Sequence, residues 1–238
     1  IPYLMEGAAA ADARLRGRAR LLLDELRILK LEEEWEAFGA APDDDIDLEE
    51  GALLVSSLVR DVDAGSVHSF LDAIGGMVRA HMATVNPVQA ISEVLFENLG
   101  FKGGDYGEAE NYYLVPALER RTGIPIVLCS LYVLVGRRVG LPVTGVAAPS
   151  HYLVRVERAD GPVFVDCYNR GRLYRPETLA NWLEGRGLSE PEQYLGPCSN
   201  RFTLLRMMNN LERFYADQND VRMAGLVRRL RGYLEPNR

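Results

Sequence analysis

The chain has 238 residues and a formal net charge of −7, from 34 acidic and 27 basic residues. Because a phosphate backbone is bound by clustered Lys and Arg, this balance argues against a nucleic-acid partner. Hydrophobic residues make up 47% of the chain, enough for a substantial core, so disorder does not describe most of it.

The three cysteines have no regular spacing and form no CxxC pair, so the sequence indicates neither a disulfide framework nor a zinc site. No apolar run approaches the roughly 20 residues that a membrane span needs. The first twenty residues lack the basic-then-apolar order of a signal peptide. We therefore expect a cytoplasmic protein without membrane association, metal or cofactor.

The first half of the chain is predicted to be helical. Residues 8–38 contain no Pro, and their apolar side chains recur at helical intervals, which predicts one or two amphipathic helices. These side chains are Leu21, Leu22, Leu26, Leu29 and Trp35. Residues 39–45 are a predicted linker, and Asp47 is placed to cap the helix that follows. Further helices are predicted over residues 48–60, 66–82 and 87–100.

Two histidines and one loop in this half contain residue types that can bind ligands. His68 and His81 lie within predicted helices and have no Cys, His or paired acid at ligand spacing, so we expect surface histidines and not metal ligands. Residues 101–111 are rich in Gly and polar residues but contain no phosphate-binding motif. Such a loop can form a wall beside a site. Residues 112–121 are predicted as a short helical approach.

A buried helix is predicted next. Residues 126–139 (IVLCSLYVLVGRRV) are apolar nearly all round, which is typical of a helix packed on every side. Pro125 suits its first position, because proline lacks the N–H that a helix start leaves unbonded. Gly140 ends it. This helix carries Cys129.

After this helix the hydrophobic period changes to two, which predicts an antiparallel sheet packed on it. The predicted strands cover residues 143–147, 152–157, 163–168 and 172–174. A short helix is predicted at 177–184. Residues 202–238 are predicted to form two helices that close at Pro236 and resemble one tetratricopeptide unit. Because a single unit cannot bury its own face, we expect it to pack on the main domain.

His151 and Asp166 fall on neighbouring predicted strands. If the turn at Asp160-Gly161 lies in a four-residue loop, 158–161, paired residue numbers sum to 319, and the two side chains are diagonal neighbours on one face. A two-residue loop keeps them on one face but further apart, and a three-residue loop separates them. A carboxylate at an apolar strand position is costly without a partner, and His151 is the available one. A purely structural pair satisfies the same pattern.

Cys129 completes a Cys–His–Asp order, the set that nucleophilic cysteine catalysis needs. A free cysteine in an apolar helix is also typical of a core residue. Cys129 lies four residues past Pro125, one turn inside the helix, where the helix dipole supports a thiolate less. Cys167 and Cys198 have no visible base.

The segments RRTGIPIVLCSLYVLVGRRVGLP, APSHYLVR and VFVDCYNRGRL together resemble the bacterial transglutaminase-like family of the SirB type. The resemblance covers about residues 45–174. It implies a papain-like core, in which a Cys-bearing helix lies against an antiparallel sheet that supplies His and Asp, with tetratricopeptide-like helices at the C-terminal end. His151 and Asp166 match the family's His and Asp. In active members the Cys opens the helix, at or near Pro125 here, so the chain departs from the family at the nucleophile.

We therefore expect an α+β fold with a helical N-terminal half, a transglutaminase-like core and a helical tail, divided at residues 1–44, 45–200 and 201–238. Two functions remain open. The first is a non-catalytic or degenerate binding or scaffold module with a protein or peptide partner. The alternative is an active cysteine acyltransferase or amide hydrolase, in which Cys129 attacks a carbonyl, His151 relays the proton and Asp166 orients His151. The sequence does not set the oligomeric state.

Overall fold

The computed structural model describes residues 2–9 and 12–235, and it has the α+β architecture predicted from the sequence. The α-helices of these residues are α1 (Pro2–Ala9), α2 (Ala13–Gly39), α3 (Leu48–Ser56), α4 (Ala64–His81), α5 (Pro87–Ser92), α6 (Leu114–Arg120), α7 (Pro125–Arg138), α8 (Pro176–Glu184), α9 (Asn200–Asp217) and α10 (Val221–Leu234). The strands are β1 (Lys102–Gly103), β2 (Thr122–Gly123), β3 (Val143–Val146), β4 (Leu153–Val156), β5 (Val163–Asp166) and β6 (Arg172–Tyr174).

Helix α2 is long and continuous, and it packs on α1 and α10. Asp12 caps it, since its Oδ1 accepts the N–H groups of Arg14 at 2.7 Å and Leu15 at 3.1 Å. Trp35 is fully buried, but the four predicted leucines of this helix are exposed: Leu21, Leu22, Leu26 and Leu29. The helical spacing thus predicted the helix but not which of its side chains reach the core. Ala10 and Ala11, inside the predicted helical stretch, lie outside the described residues.

The predicted helices of the first half are present with shifted ends. Asp47 caps α3 as predicted, with its Oδ1 accepting the N–H of Glu50 at 2.8 Å. The helix ends at Ser56, four residues earlier than predicted. Pro87 opens α5, but the helix widens into a π-helix over Glu93–Asn98, so the prediction of one regular α-helix to residue 100 was wrong there.

The main sheet is antiparallel, with strand order β3-β4-β5-β6. Strands β4 and β5 pair Val154 with Val165 and Val156 with Val163. Each pair sums to 319, which confirms the register expected for a four-residue loop. This register brings the start of β4 beside the end of β5.

A second, two-stranded pairing was not predicted. Lys102 of β1 lies opposite Thr122 of β2 in parallel; β1 falls in the predicted loop, and β2 directly follows the predicted helical approach. A Cβ added to Gly103 would lie 2.7 Å from the ring of Tyr168, so only glycine fits beside this ring. The pairing fixes the 104–108 loop next to the start of α7.

Helix α7 occupies the centre of the molecule, in contact with α4, α6, α9, β3 and β4. Every residue from Pro125 to Gly136 is buried, as the all-apolar sequence predicted. Burial of apolar surface stabilises a fold by about 25 cal/mol per Å². Because α7 is buried on all sides, it contributes strongly to the stability of the core. No helix of the described residues is long and apolar enough to cross a membrane.

The last two helices form the predicted hairpin and pack on the main body. Arg201 at the start of α9 is buried, and its guanidinium donates to Gly39 O and Leu234 O, both at 3.1 Å. It also donates to Ala41 O and pairs with Asp43. One side chain therefore satisfies the carbonyl ends of α2 and α10 together. Most buried apolar side chains from Leu31 to Leu234 form one cluster, and a second, smaller cluster joins the sheet to α8. The three-part division of the chain stays a prediction. Pro236 lies outside the described residues.

Candidate functional site

Cys129 lies inside the core. Its exposed fraction is 0%, and its Sγ donates a hydrogen bond to the backbone oxygen of Tyr152 at 3.3 Å. The thiol of Cys167, the residue that follows β5, lies against Cys129. Burial is the main reason why the pKa of Cys167 is well above its ordinary value, and the contact with Cys129 raises this pKa further. Cys129 thus has the packing of a core cysteine.

His151 and Asp166 form the pair that the strand register predicted. Nε2 of His151 lies 2.9 Å from Oδ2 of Asp166. Asn169 donates to the same carboxylate twice, from its backbone N–H at 3.1 Å and from Nδ2 at 2.8 Å. Within the part of the chain that the structure describes, the other ring nitrogen of His151, Nδ1, has no hydrogen-bond partner. A base oriented by a third group is the arrangement that general base chemistry requires.

The environment of Asp166 favours its charged form. The side chain is only 3% exposed, and burial by itself would raise the pKa of Asp166. The hydrogen bonds from His151 and Asn169 outweigh burial, and the pKa of Asp166 lies below its usual value. The pair therefore gives the buried carboxylate its hydrogen-bond donors and also holds the imidazole in one orientation.

The segment that presents His151 is locally constrained. Ser150 has a φ of 61°, which is unusual for a residue with a side chain, and the N–H of His151 donates to Ala148 O at 3.0 Å. Such backbone positions persist when the surroundings determine them. This turn holds the imidazole above the N-terminal end of α7.

The predicted three residues are not brought together as a set. The thiol of Cys129 bonds to the backbone of the residue after His151, and among the described residues no hydrogen bond joins Cys129 to His151. At the start of α7, the cavity at His151 is lined by Ile124, which precedes the helix, and by Pro125 and Ile126. No nucleophilic side chain is among those three.

Two cavities adjoin at His151, which lines both together with Ser150. The first, of about 350 Å³, is called here the apolar cavity; its walls include Leu153, Tyr174, Leu179 and Trp182. The second, of about 380 Å³, is called the basic cavity; its walls include Tyr106, Pro125, Tyr152, Arg206, Asn210 and Arg213. The molecule therefore has a cleft in two parts with the imidazole between them.

Several of these wall residues carried no recognisable signal in the sequence. Tyr106 comes from the loop that was predicted to form a wall, and Gly104 O accepts a hydrogen bond from Tyr168 Oη at 3.1 Å, which anchors that loop. Arg206 and Arg213 come from α9, more than fifty residues after His151. Only the tertiary packing of the hairpin brings them to the cleft.

The two other histidines lie away from this cleft, in contacts with carboxylates. His68 Nδ1 is 3.1 Å from Glu49 Oε1, and His81 pairs with Glu93. Within residues 2–9 and 12–235 no group of three or more His, Cys, Asp or Glu side chains converges as a metal site. Both histidines have carboxylates as partners in the described structure.

Comparison with known proteins matches this architecture to one family. A model described as the transglutaminase-like superfamily matches residues 65–209, which extends into α9 and beyond the predicted limit of the resemblance at residue 174. A UPF0162 protein of Xylella fastidiosa (strain 9a5c) is 30% identical over 198 residues, which cover 78% of this chain and 70% of that protein. No solved structure matches the chain.

Two further relatives are more distant. The UPF0162 protein YchA of Escherichia coli (strain K12) is 22% identical over 185 residues, covering 74% of this chain and 69% of that protein. The F-box only protein 21 of Homo sapiens is 28% identical over 191 residues, covering 65% of this chain but 30% of that protein. The shared region is therefore found both in bacterial proteins of similar length and as a part of a longer human protein.

Proposed function

Since this chain belongs to the transglutaminase-like superfamily, we propose that it is a non-catalytic binding module, whose cleft at His151 receives a protein or peptide partner. One observation carries the proposal. The Cys129 thiol is fully buried and bonded to Tyr152 O, while Pro125 and Ile126 occupy the cleft end of α7. Without a thiolate beside the imidazole, nucleophilic attack has no starting group.

The finer assignments are part of the same proposal. We propose that the chain belongs to the SirB-type branch and that the α9–α10 hairpin is its tetratricopeptide-like element. The three cysteines are free, which supports a reducing, cytoplasmic location. The division at residues 44/45 and 200/201 is proposed as the boundary between helical appendages and the central core.

An active cysteine acyltransferase or amide hydrolase is the second candidate, and the His151–Asp166 pair favours it. In that reaction Cys129 Sγ would lose its proton to His151 and attack a carboxamide carbon, forming a thioester as the amine leaves with the proton. Asp166 would hold the imidazole in one orientation. This candidate requires the thiol to leave Tyr152 O and enter the cleft.

Alkylation with iodoacetamide separates the two candidates. In the folded protein we expect the half-buried Cys198 to be modified and Cys129 to stay unmodified, as read by mass spectrometry of tryptic peptides. Cys167 is the matched control, because it is equally buried against Cys129 and any general opening of the core would expose both thiols alike. Unfolding in guanidinium should make all three reactive.

A different alkylation pattern would contradict the non-catalytic proposal. Modification of Cys129 but not Cys167 in the folded protein, with a rate that falls in His151→Ala, would establish a thiol served by the imidazole and overturn the non-catalytic proposal. The His151→Ala protein must keep the wild-type circular dichroism for this comparison.

A further inference from the structure

The basic cavity carries positive charge that the described residues do not neutralise. Arg206, Asn210 and Arg213 lie four and three residues apart, so they occupy one face of α9, and all three line the cavity. Neither arginine has an ion pair or hydrogen bond to another residue within 2–9 and 12–235, and Nε of Arg206 is buried without a partner. A buried N–H of a charged group without an acceptor is costly.

Other arginines of the hairpin are paired. Arg201 contacts Asp43, and Arg228 and Arg231 both contact Glu212. The wall of the basic cavity, in contrast, contains no Asp or Glu side chain, and the carboxylate of Asp166 is occupied by His151 and Asn169. Arg213 also lines a neighbouring cavity together with Asp217, but in the described structure the two side chains form no ion pair. Positive charge without an ion pair therefore lines the basic cavity of a protein whose formal net charge is −7.

The start of α7 adds to the positive electrostatic potential in the basic cavity. No side chain caps this helix, which begins at Pro125 in the cavity wall. Pro125 has no N–H, and the N–H groups of Val127 and Leu128 donate to Ile124 O, so this helix start offers an anion the N–H of Ile126 and the positive end of the helix dipole. Two guanidinium groups and a helix start that converge on one cavity favour an anion there.

The apolar cavity limits what the anion can be attached to. Trp182 lines it, with the guanidinium of Arg186 stacked 3.9 Å from the ring centroid, and Leu153 and Leu179 supply apolar wall. Because His151 borders both cavities, a ligand that fills both must carry an anion and an apolar group close together.

Resting on the proposed non-catalytic function, we infer that the cleft binds the C-terminal end of a peptide chain, with its terminal carboxylate in the basic cavity and its last, apolar side chain in the apolar cavity. A C-terminal residue carries both groups on one Cα, so it spans the boundary at His151. An internal Asp, Glu or phosphorylated residue uses its own side chain for the anion and leaves the apolar cavity to a neighbour at least one residue, about 3.5 Å, away.

Binding of two matched peptides tests this inference. The probes are acetyl-Gly-Ser-Gly-Phe with a free carboxylate and the same peptide as its C-terminal amide, titrated into the full chain up to millimolar concentration. Trp182 fluorescence reports the apolar cavity, since the second tryptophan, Trp35, is fully buried elsewhere. We expect the free acid to bind about tenfold more tightly than the amide, the difference made by one charge-assisted hydrogen-bond pair.

Variants locate the carboxylate. Arg213→Gln, at an exposed position, and the double variant Arg206→Gln/Arg213→Gln should each weaken binding of the free acid and leave that of the amide unchanged. Arg222→Gln removes the same charge from the hairpin at a side chain that is 69% exposed and should leave both affinities unchanged. Acid and amide binding equally, neither binding, or a loss of equal size in Arg222→Gln would each overturn the inference.

Mass spectrometry of the same mixtures keeps this inference separate from the proposed function. Peptide that remains intact is expected. Cleavage or acyl transfer that disappears in Cys129→Ala would refute the non-catalytic function itself, whichever peptide binds more tightly.

Discussion

The cleft has a strand wall, at His151 and Asp166, and a helix wall, at the start of α7. The strand wall has the His–Asp pair of a cysteine hydrolase, whereas the helix wall lacks the nucleophile. The strand wall holds His151 against Asp166, with both carboxylate oxygens bonded. The helix wall presents Pro125 and Ile126, and its cysteine is turned into the core. The difference has a physical basis. A carboxylate buried in a sheet must be paired for the sheet to be stable, so the His–Asp pair has a structural reason to exist without catalysis. A thiol at a helix start has no comparable structural reason to exist.

The largest expected loss of stability comes from a substitution in the strand wall. Asp166→Ala should lower the free energy of unfolding by about 3 kcal/mol, because it removes a buried carboxylate together with its three hydrogen bonds from His151 and Asn169. Cys129→Ala on the helix wall should cost about 1 kcal/mol, the loss of one small apolar group and a weak hydrogen bond. Chemical denaturation monitored by circular dichroism measures both.

Asp160→Ala serves as the control for the strand wall. Its side chain is 70% exposed in the β4–β5 loop, and its loss should change the free energy of unfolding by less than about 0.5 kcal/mol. If Cys129→Ala costs more than Asp166→Ala, the stability of the cleft depends on the helix wall and the comparison is reversed.

A smaller effect follows from pH. The pKa of Asp166 is lowered in the folded protein, so its ionised form stabilises the fold at every pH above the ordinary value near 4. That contribution is lost as the pH falls through the lowered pKa. The destabilisation of Asp166→Asn relative to wild type should therefore be about 1–2 kcal/mol at pH 7 and shrink at pH 3. An undiminished difference at pH 3 would show that the charge of Asp166 is not what stabilises the pair.

The strand wall was also the part that local sequence information could predict. Strand alternation and the Asp160-Gly161 turn limited the register to three alternatives, two of which put His151 and Asp166 on one face, and the structure has the one with a four-residue loop. The all-apolar composition predicted the burial of α7. In both cases the deciding interactions lie within one helix or one hairpin.

The rest of the cleft depends on contacts between distant segments. Arg206 and Arg213 reach it only because α9 packs against α7, and no pattern within α9 reports that neighbour. The exposed leucines of α2, such as Leu26, show the same limit, since helical spacing identifies a face but not what covers it. The β1–β2 pairing is two residues long, too short to produce an alternating pattern.

Pro125→Cys should change the stability little, and it tests the comparison of the two walls most directly. The variant places a thiol at the first position of α7, inside the basic cavity and beside His151, where the helix start lowers the pKa of a thiol. Exchanging proline at this position should cost less than about 1 kcal/mol.

We expect the introduced thiol to be alkylated by iodoacetamide about tenfold faster than Cys198 in the same molecule, and to lose that advantage when His151→Ala is added. Tryptic mapping distinguishes the two thiols, and Cys198, outside the cleft, is the internal reference. Equal rates with no dependence on His151 would mean that the pair on the strand wall serves only the sheet. A rate that depends on the imidazole would mean that the strand wall is still competent for acid–base chemistry, and that the two walls differ by the side chain at one helical position.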